Sequence, residues 1–90
     1  MKAVLVTTQW RGVFFGYAEE TSGDVVRLKN ARNVIYWPTS QRGFLGLASD
    51  GPKQGARVGP RVDIELRGVT AVVDVPNSAV KVWEAFEWTP

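Results

Sequence analysis

Alternating hydrophobic and polar residues predict β-structure over most of this chain. The clearest case is 62–67, where aliphatic and charged residues alternate strictly, as they do in a strand with one buried face. The run 25–29 alternates in the same way and sets Val26 and Leu28 on one face. The predicted strands are residues 2–8, 13–18, 25–29, 31–37, 62–67 and 69–75, of which we expect the last to be largely buried.

Glycine and proline separate these runs. Gly16 lies inside the second predicted strand, where it marks either a bulge or a close approach of another group. Pro38 ends the run 31–37, because proline has no N–H to donate to a neighbouring strand. Turns are expected at 9–12, at 21–24 and at Gly68, a turn or kink is expected near Asn30, and a loop is expected over 51–60.

Two short helices are predicted, each after a proline. Gly51 followed by Pro52 is a strong stop signal for the first of them. The candidate N-caps are Thr39 or Ser40 for the first helix and Asn77 or Ser78 for the second. The apolar stripes are Phe44, Leu45, Leu47 and Ala48 in the first helix, and Ala79, Val82, Trp83 and Phe86 in the second.

These elements predict an α+β fold, with about five or six mostly antiparallel strands and two short helices packed on them. We expect one domain over 1–90, because chains of this length rarely divide. A domain of this size buries only about 60 to 65% of its unfolded surface, and the sequence has no cysteine for disulfides. Small domains without such cross-links often gain stability by association, so we expect a homo-oligomer.

The composition excludes several kinds of chemistry. The chain has neither cysteine nor histidine, so it lacks a Cys–His dyad, a Ser–His–Asp triad and a histidine base. No metal site is predicted, since Asp63 and Glu65 share a strand face without further converging ligands. We therefore expect a binding protein without a cofactor rather than an enzyme. Without a signal-peptide pattern or an apolar run of about 18 residues, we expect a cytoplasmic location away from membranes.

The positive charge is concentrated in the middle of the chain. Residues 27–61 carry a net charge of +6, whereas 1–26 carry −1 and 62–90 carry −3. Arginine outnumbers lysine seven to four, and guanidinium groups bind phosphate oxygens bidentately and stack on flat rings. A solvated surface is the alternative interpretation for any single arginine. The block as a whole favours a site for a small anionic ligand.

The segment 27–40 combines basic, amide, hydroxyl and aromatic side chains, which is the mixture that a nucleotide requires. Arg32 is the strongest single candidate. Tyr36 and Trp37 fall on opposite strand faces, so we expect at least one in the core, and asparagines here also form turns. Trp10, Trp83 and Trp88 are expected to be core or subunit contacts. The candidate ligand-binding residues are Asn30, Arg32, Tyr36, Trp37, Ser40, Lys53, Arg57 and Tyr17.

Several short motifs lie along the chain: Phe15-Gly16-Tyr17, Val26-x-Leu28-x-Asn30-Ala31-Arg32, Ile35-Tyr36-Trp37, Leu45-x-Leu47-Ala48-x-x-Gly51 and a closing tryptophan. In these motifs the chain resembles a family of small phage proteins formerly of unknown function, and it is similar to viral sponge proteins that disarm CBASS defence. The resemblance implies a non-enzymatic homo-oligomer, with a tetramer favoured, that sequesters cyclic dinucleotides such as 3′,3′-cGAMP in the host bacterial cytoplasm.

Two other functions stay open. A nucleic-acid-binding module would bind more tightly as the strand lengthens and more weakly as salt rises, but the acidic flanks make nucleic acid an unfavourable partner. A phage structural or host-inhibitory protein would act through protein contacts, with Trp83, Phe86 and Trp88 as anchors.

Overall fold

A computed structural model describes residues 1–87, and these form an antiparallel sheet with two α-helices, which confirms the predicted α+β class. The strands are β1 (Lys2–Thr8), β2 (Val13–Ala18), β3 (Val25–Tyr36), β4 (Arg57–Val58), β5 (Val62–Arg67) and β6 (Val69–Asp74). The helices are α1 (Gly43–Asp50) and α2 (Asn77–Ala85), and a short 3₁₀ helix covers Thr39–Gln41.

The sheet is strongly curved, so that one of its faces is enclosed. The main path of strands is β4-β3-β2-β1-β6, and β5 pairs with β3 beside it. Only Gly68, at φ +69°, separates β5 from β6, yet these strands pair with β3 and β1, on opposite sides of β2. The continuous run from β5 to β6 therefore connects the β3 side of the sheet to the β1 side, and the sheet forms a small, partly open barrel.

The barrel has one hydrophobic cluster inside and another beneath the helices. The inner cluster draws on five strands: Val4, Val6, Ala18, Val26, Leu28, Ala31 and Leu66, with Phe14, Ile64, Val69 and Val72 partly buried against it. The outer cluster is centred on Trp83 of α2, whose ring stacks on Phe15 at a centroid distance of 4.6 Å. The indole Nε1 of Trp83 donates to the Leu47 carbonyl at 3.1 Å, which ties α2 to α1.

β3 is one bent strand rather than the two that the sequence suggested. Asn30 adopts φ +51°, a left-handed conformation that asparagine tolerates, and its N–H donates to Asp63 Oδ1 at 3.0 Å. The expected kink is therefore present, but pairing continues through it. Both expectations for Gly16 are confirmed, because the β2–β3 register shifts there and an added Cβ would lie 3.0 Å from the Leu28 Cβ.

The predicted N-caps were wrong for both helices. α1 begins at Gly43, after Arg42 and Gly43 both turn with positive φ, so Thr39 and Ser40 lie in the preceding 3₁₀ helix. The cap of α2 is Pro76, and no side chain bonds to the helix terminus. Both helices form because packing holds them, which reduces the need for a cap. The stop at Gly51 is confirmed.

Two further expectations need correction. The loop predicted over 51–60 contains the short strand β4, which has too few residues to show an alternating pattern. β6 is half-buried rather than largely buried, because it pairs with β1 alone and exposes its other edge. Within the described residues, no helix is both long and apolar enough to cross a bilayer.

Candidate ligand-binding edge

Four of the candidate residues meet at the side of the barrel where β3 ends. Tyr36 and Arg57 are register partners on β3 and β4, so their side chains share one face of the sheet. The loop that carries Lys53 packs next to this pair, since Gly55 lies against Pro38. We call the surface formed by Tyr36, Ser40, Lys53 and Arg57 the basic edge.

Tyr36 and Trp37 differ in burial, as the sequence predicted. Trp37 is partly buried and packs against the outer hydrophobic cluster, so it supports the edge from behind. The Tyr36 side chain is 53% exposed, and its ring is open to a ligand. Arg57 is exposed beside it on β4. A flat ring and a guanidinium group therefore lie next to each other at the surface.

The position of Lys53 is fixed by a residue that sequence reasoning missed. Gln41 is fully buried, and its side-chain Nε2 donates to the Gly51 carbonyl at 2.7 Å. Its Oε1 accepts the Lys53 backbone N–H at 2.9 Å. One amide thus bridges the 3₁₀ helix to the loop after α1. No periodic pattern marks Gln41, because it lies in a single short turn.

The Lys53 side chain lies across the edge. Its Nζ donates to the Ser40 carbonyl at 3.1 Å and lies 3.9 Å from Asp50 Oδ2. Both charged side chains are substantially exposed, so water screens this pair and its energy is small. The Asp50 carboxylate is therefore a modest competitor of any anion that approaches the ammonium group of Lys53.

Arg32 lies in the interior, behind the basic edge. Its side chain is 0% exposed, with Nε donating to the Gly59 carbonyl at 3.1 Å and Nη1 donating to the Trp83 carbonyl at 2.7 Å. Burial lowers the pKa of this guanidinium, and the charge of Arg61 lowers it further. Among the described residues Nη2 has no hydrogen-bond partner. A ligand contact by Arg32 stays a prediction, but its hydrogen bonds join the link after β4 to the end of α2.

Asn30 and Tyr17 lie apart from the basic edge. Asn30 is exposed at the bend of β3, where its backbone bonds to Asp63. Tyr17 is half-buried on β2, with its ring edge-on to Phe15 at 5.5 Å. Of the remaining tryptophans, Trp83 is confirmed as core, and Trp10 is 85% exposed in the β1–β2 turn. Trp88 lies outside the described residues.

The two open cavities near Tyr17, each of about 400 Å³, also lie away from the basic edge. The first has more acidic than basic lining residues, and its basic groups are engaged in ion pairs. Arg27 lies 3.1 Å from Glu65, and Lys29 lies 4.0 Å from Asp63. This cavity is therefore a poor site for an anion, and the basic edge is the better candidate.

Tyr17 should make stability depend on pH in alkaline solution. Burial raises the pKa of its hydroxyl above 10.0, and the charge of Glu84 raises it further. Below pH 10 the hydroxyl is neutral in both the folded and the unfolded state, so its contribution to stability is fully present. Above that, the unfolded chain ionises first, and this contribution is lost as the pH rises through the folded pKa. The Tyr17→Phe variant should therefore lose less stability than the unmodified protein between pH 9 and pH 11 (roughly one unit either side of the ordinary tyrosine pKa).

Ultraviolet titration of the Tyr36→Phe variant provides the direct check, since Tyr17 is its only remaining tyrosine. The tyrosinate absorbance should appear above the ordinary midpoint in the folded protein and at that midpoint in denaturant. Equal midpoints in the two states would contradict the assignment.

The chain belongs to a family defined by a domain of unknown function, DUF6948, whose model matches residues 1–83. No curated protein and no solved structure matches the chain.

Proposed function

We propose that the protein is a non-catalytic binding protein that holds a small phosphorylated ligand bearing bases at the basic edge. Its ligand class is the cyclic dinucleotides, such as 3′,3′-cGAMP, and it acts as a homo-oligomeric phage sponge in the host cytoplasm. The observation that carries the proposal is the register pair of Tyr36 and Arg57, which places a half-exposed ring beside a guanidinium group.

The chemistry of this pair suits such a ligand. Stacking of a base on an aromatic ring contributes about 1 to 3 kcal/mol. A guanidinium group binds phosphate oxygens through two parallel hydrogen bonds, and Lys53 adds a second positive charge within the same edge. The buried amide of Gln41 holds the Lys53 backbone in place, so part of the site is formed before the ligand arrives.

The shape of the edge favours a site shared between two chains. One edge offers one exposed ring and two cations, whereas a cyclic dinucleotide carries two bases and two phosphates. Two edges related by a two-fold axis would match the approximate two-fold symmetry of that ligand. Nanomolar binding corresponds to about −12 kcal/mol, which two stacked bases and two paired phosphates can supply in a preformed site.

The test compares variants of two exposed side chains at opposite ends of the same strand. Tyr36, at the end of β3, is 53% exposed, and Val25, at its beginning, is 45% exposed. Calorimetry with cyclic di- and trinucleotides should show that Tyr36→Ala binds about tenfold or more weakly, as loss of one stacking contact requires. Val25→Ala should bind within about twofold of the unmodified protein, since Val25 pairs with Arg67 of β5, away from the basic edge.

Four outcomes would overturn the proposal. An unmodified protein that binds no cyclic nucleotide ends it. Equal losses in the two variants would place the ligand elsewhere. Recovery of a linearised nucleotide after heat denaturation would show a phosphodiesterase, whereas the proposal expects the intact ring. Affinity that grows with strand length and falls steeply with salt would indicate a nucleic-acid-binding module instead.

A structural or host-inhibitory role is the second candidate, and the exposure of Trp10 favours it. Trp83 is fully buried within the chain, so it is not available as an anchor, whereas Trp10 is 85% exposed. Exposed tryptophans are enriched among residues that dominate the energy of protein interfaces. Trp10→Ala should then abolish activity against the host partner while leaving nucleotide binding unchanged.

A further inference from the structure

The open cavity between the end of β2, the start of β3 and β5 has an apolar wall and a charged rim. Its volume of about 400 Å³ is within the usual range for small-ligand sites, about 300 to 1,000 Å³. The wall is formed by Met1, Tyr17, Val25 and Leu28, and we call the space the β3–β5 cavity. A space of this size has room for an aromatic ring, whose apolar surface these side chains would shield from water.

The rim of the β3–β5 cavity carries negative charge that has no counter-ion in the described part of the chain. The two basic residues of the rim are held in the ion pairs described above. Glu19 and Glu20 also line the cavity, and neither forms an ion pair with another residue of 1–87. The Ser22 N–H donates to Glu20 Oε1 at 2.9 Å and lowers the pKa of this carboxyl, which keeps it ionised. The cavity therefore suits a group that combines a flat ring with a positive charge.

The chain itself presents such a group at the turn 9–12 between β1 and β2, which we call the Trp10 turn. Trp10 is 85% exposed, and Arg11 beside it is exposed and forms no ion pair within residues 1–87. The turn is held by hydrogen bonds from the Thr8 N–H to the Gly12 carbonyl at 3.0 Å and from the Arg11 N–H to the Thr8 carbonyl at 3.1 Å. A ring and a guanidinium group on a fixed turn lose little conformational entropy on binding.

The backbone of Arg11 gives a reason to look for a role of its side chain. Arg11 adopts φ +66°, in the left-handed region that glycine occupies without strain. Glycine would therefore form the same turn at a lower cost, but it would carry no charge. Strained residues occur most often at functional sites, and here the strained residue holds an exposed guanidinium group next to an exposed indole ring.

We propose that the Trp10 turn of one copy inserts into the β3–β5 cavity of a second copy. The indole ring contacts the apolar wall, and Arg11 pairs with Glu19 and Glu20 on the rim. Complementary charge fixes the orientation of such a contact and favours the encounter of the two chains. The Trp10 turn does not line the cavity of its own chain, and Trp10 is exposed there, so the contact joins different copies.

This contact is heterologous, because a turn on one copy meets a cavity on the next. Such contacts extend head to tail until the series closes into a ring, or they continue as a filament. A single turn buries less than the 1,200 Å² or so of a standard interface, so we expect weak association. The residues of the contact lie outside the basic edge, so its failure and the failure of the proposed function are distinguishable.

Two variants each remove one side of the contact and leave the other side intact. Trp10→Ala removes the ring from the turn, whereas the double substitution Glu19→Lys and Glu20→Lys reverses the charge of the rim. All three side chains are exposed, so both proteins should keep the fold. The double variant, labelled with ¹⁵N and free of ligand, is the probe, because its Trp10 indole N–H reports on an intact turn and its own cavity cannot compete.

The probe is titrated with each unlabelled variant up to about 1 mM protein, the range of weak complexes. Unlabelled Trp10→Ala, which has an intact cavity, should shift the Trp10 indole signal along a one-to-one binding curve, and less so at high salt. The unlabelled double variant should leave the signal in place, since its rim repels Arg11. With the labels exchanged, the amide signal of Val25 in Trp10→Ala should shift when the double variant is added.

Adding Arg11→Glu to the probe should weaken its binding to Trp10→Ala about tenfold, because a carboxylate then faces the acidic rim. An indole signal that neither unlabelled protein shifts overturns the proposal. Equal shifts with both proteins would place the partner of the turn outside the cavity and would overturn it too. Binding that Arg11→Glu leaves unchanged would contradict the charge pairing on which the proposal rests.

Discussion

Replacing Arg32 by alanine is expected to destabilise the fold by about 3 to 5 kcal/mol. The substitution removes the two hydrogen bonds that join the Gly59 and Trp83 carbonyls, and it leaves both oxygens in the interior without this donor. It also opens a cavity where a fully buried side chain was. Chemical denaturation monitored by tryptophan fluorescence measures the change in the free energy of unfolding.

A cost of this size is a large share of the 5 to 15 kcal/mol or so that a typical domain has. Arg32 is the strongest candidate in the sequence, which would make Arg32→Ala the first choice for a binding test. The structure leads us to expect that this variant unfolds more readily, so a binding assay on it would not separate the loss of a ligand contact from the loss of the fold. For this reason the binding test uses Tyr36 and Val25.

Two controls separate the hydrogen bonds of Arg32 from its volume and its charge. Arg32→Met refills most of the space and removes the buried charge, so it should recover part of the loss. Arg27→Ala removes a guanidinium from the same strand, where it is exposed and pairs with Glu65 at 3.1 Å, and should cost less than about 1 kcal/mol. Equal stabilities of Arg32→Ala and Arg27→Ala would contradict the structural role of Arg32.

The burial of Arg32 shows what strand periodicity can and cannot provide. Arg32 lies two residues before Val34, so alternation alone places it on the face that Val34 buries. The prediction instead weighted the basic charge of the segment, which favours the surface. What a pattern cannot show is that two carbonyls from distant parts of the chain, at 59 and 83, converge on this position. Such contacts depend on the tertiary structure.

The elements that the sequence predicted best are those whose pattern repeats several times. β5 alternates over six residues and has the predicted bounds. The bounds of β2 were also predicted correctly. The start of α1 was missed because Arg42 turns in the left-handed region, which sequence does not favour for arginine. β4 was missed because two residues are too few to carry a period.

The candidate site was predictable in composition rather than in geometry. Tyr36, Ser40, Lys53 and Arg57 were selected for their chemistry, and the fold brings them together although they are separated along the chain. Asn30 was selected on the same grounds and lies elsewhere. The chemistry of a ligand can thus be inferred from the residue types present, but their convergence depends on turns that Gln41 and the glycines determine.

A glycine inside α1 leads to the second large expected effect. Gly46 lies inside α1, where replacing glycine by alanine ordinarily stabilises a helix by about 1 kcal/mol. At this position an added Cβ would overlap the Gln41 carbonyl oxygen, which is backbone and has little freedom to move. Both polar atoms of the Gln41 side chain are held by hydrogen bonds to the loop after α1. Gly46→Ala should therefore destabilise the fold by about 3 kcal/mol, the upper range for an overpacked site.

The sign of the stability change distinguishes the usual gain from alanine in a helix from the overlap with the Gln41 carbonyl. Thermal and chemical denaturation should show a loss for Gly46→Ala, whereas Leu45→Ala, at an exposed position one residue earlier, should stay within about 0.5 kcal/mol. A gain in stability for Gly46→Ala would mean that the Gln41 carbonyl does not lie against the helix. Because Gln41 also holds the Lys53 backbone, a displaced Gln41 should loosen the basic edge as well. In folded Gly46→Ala protein, ligand affinity should then fall together with stability, whereas Leu45→Ala should leave both unchanged.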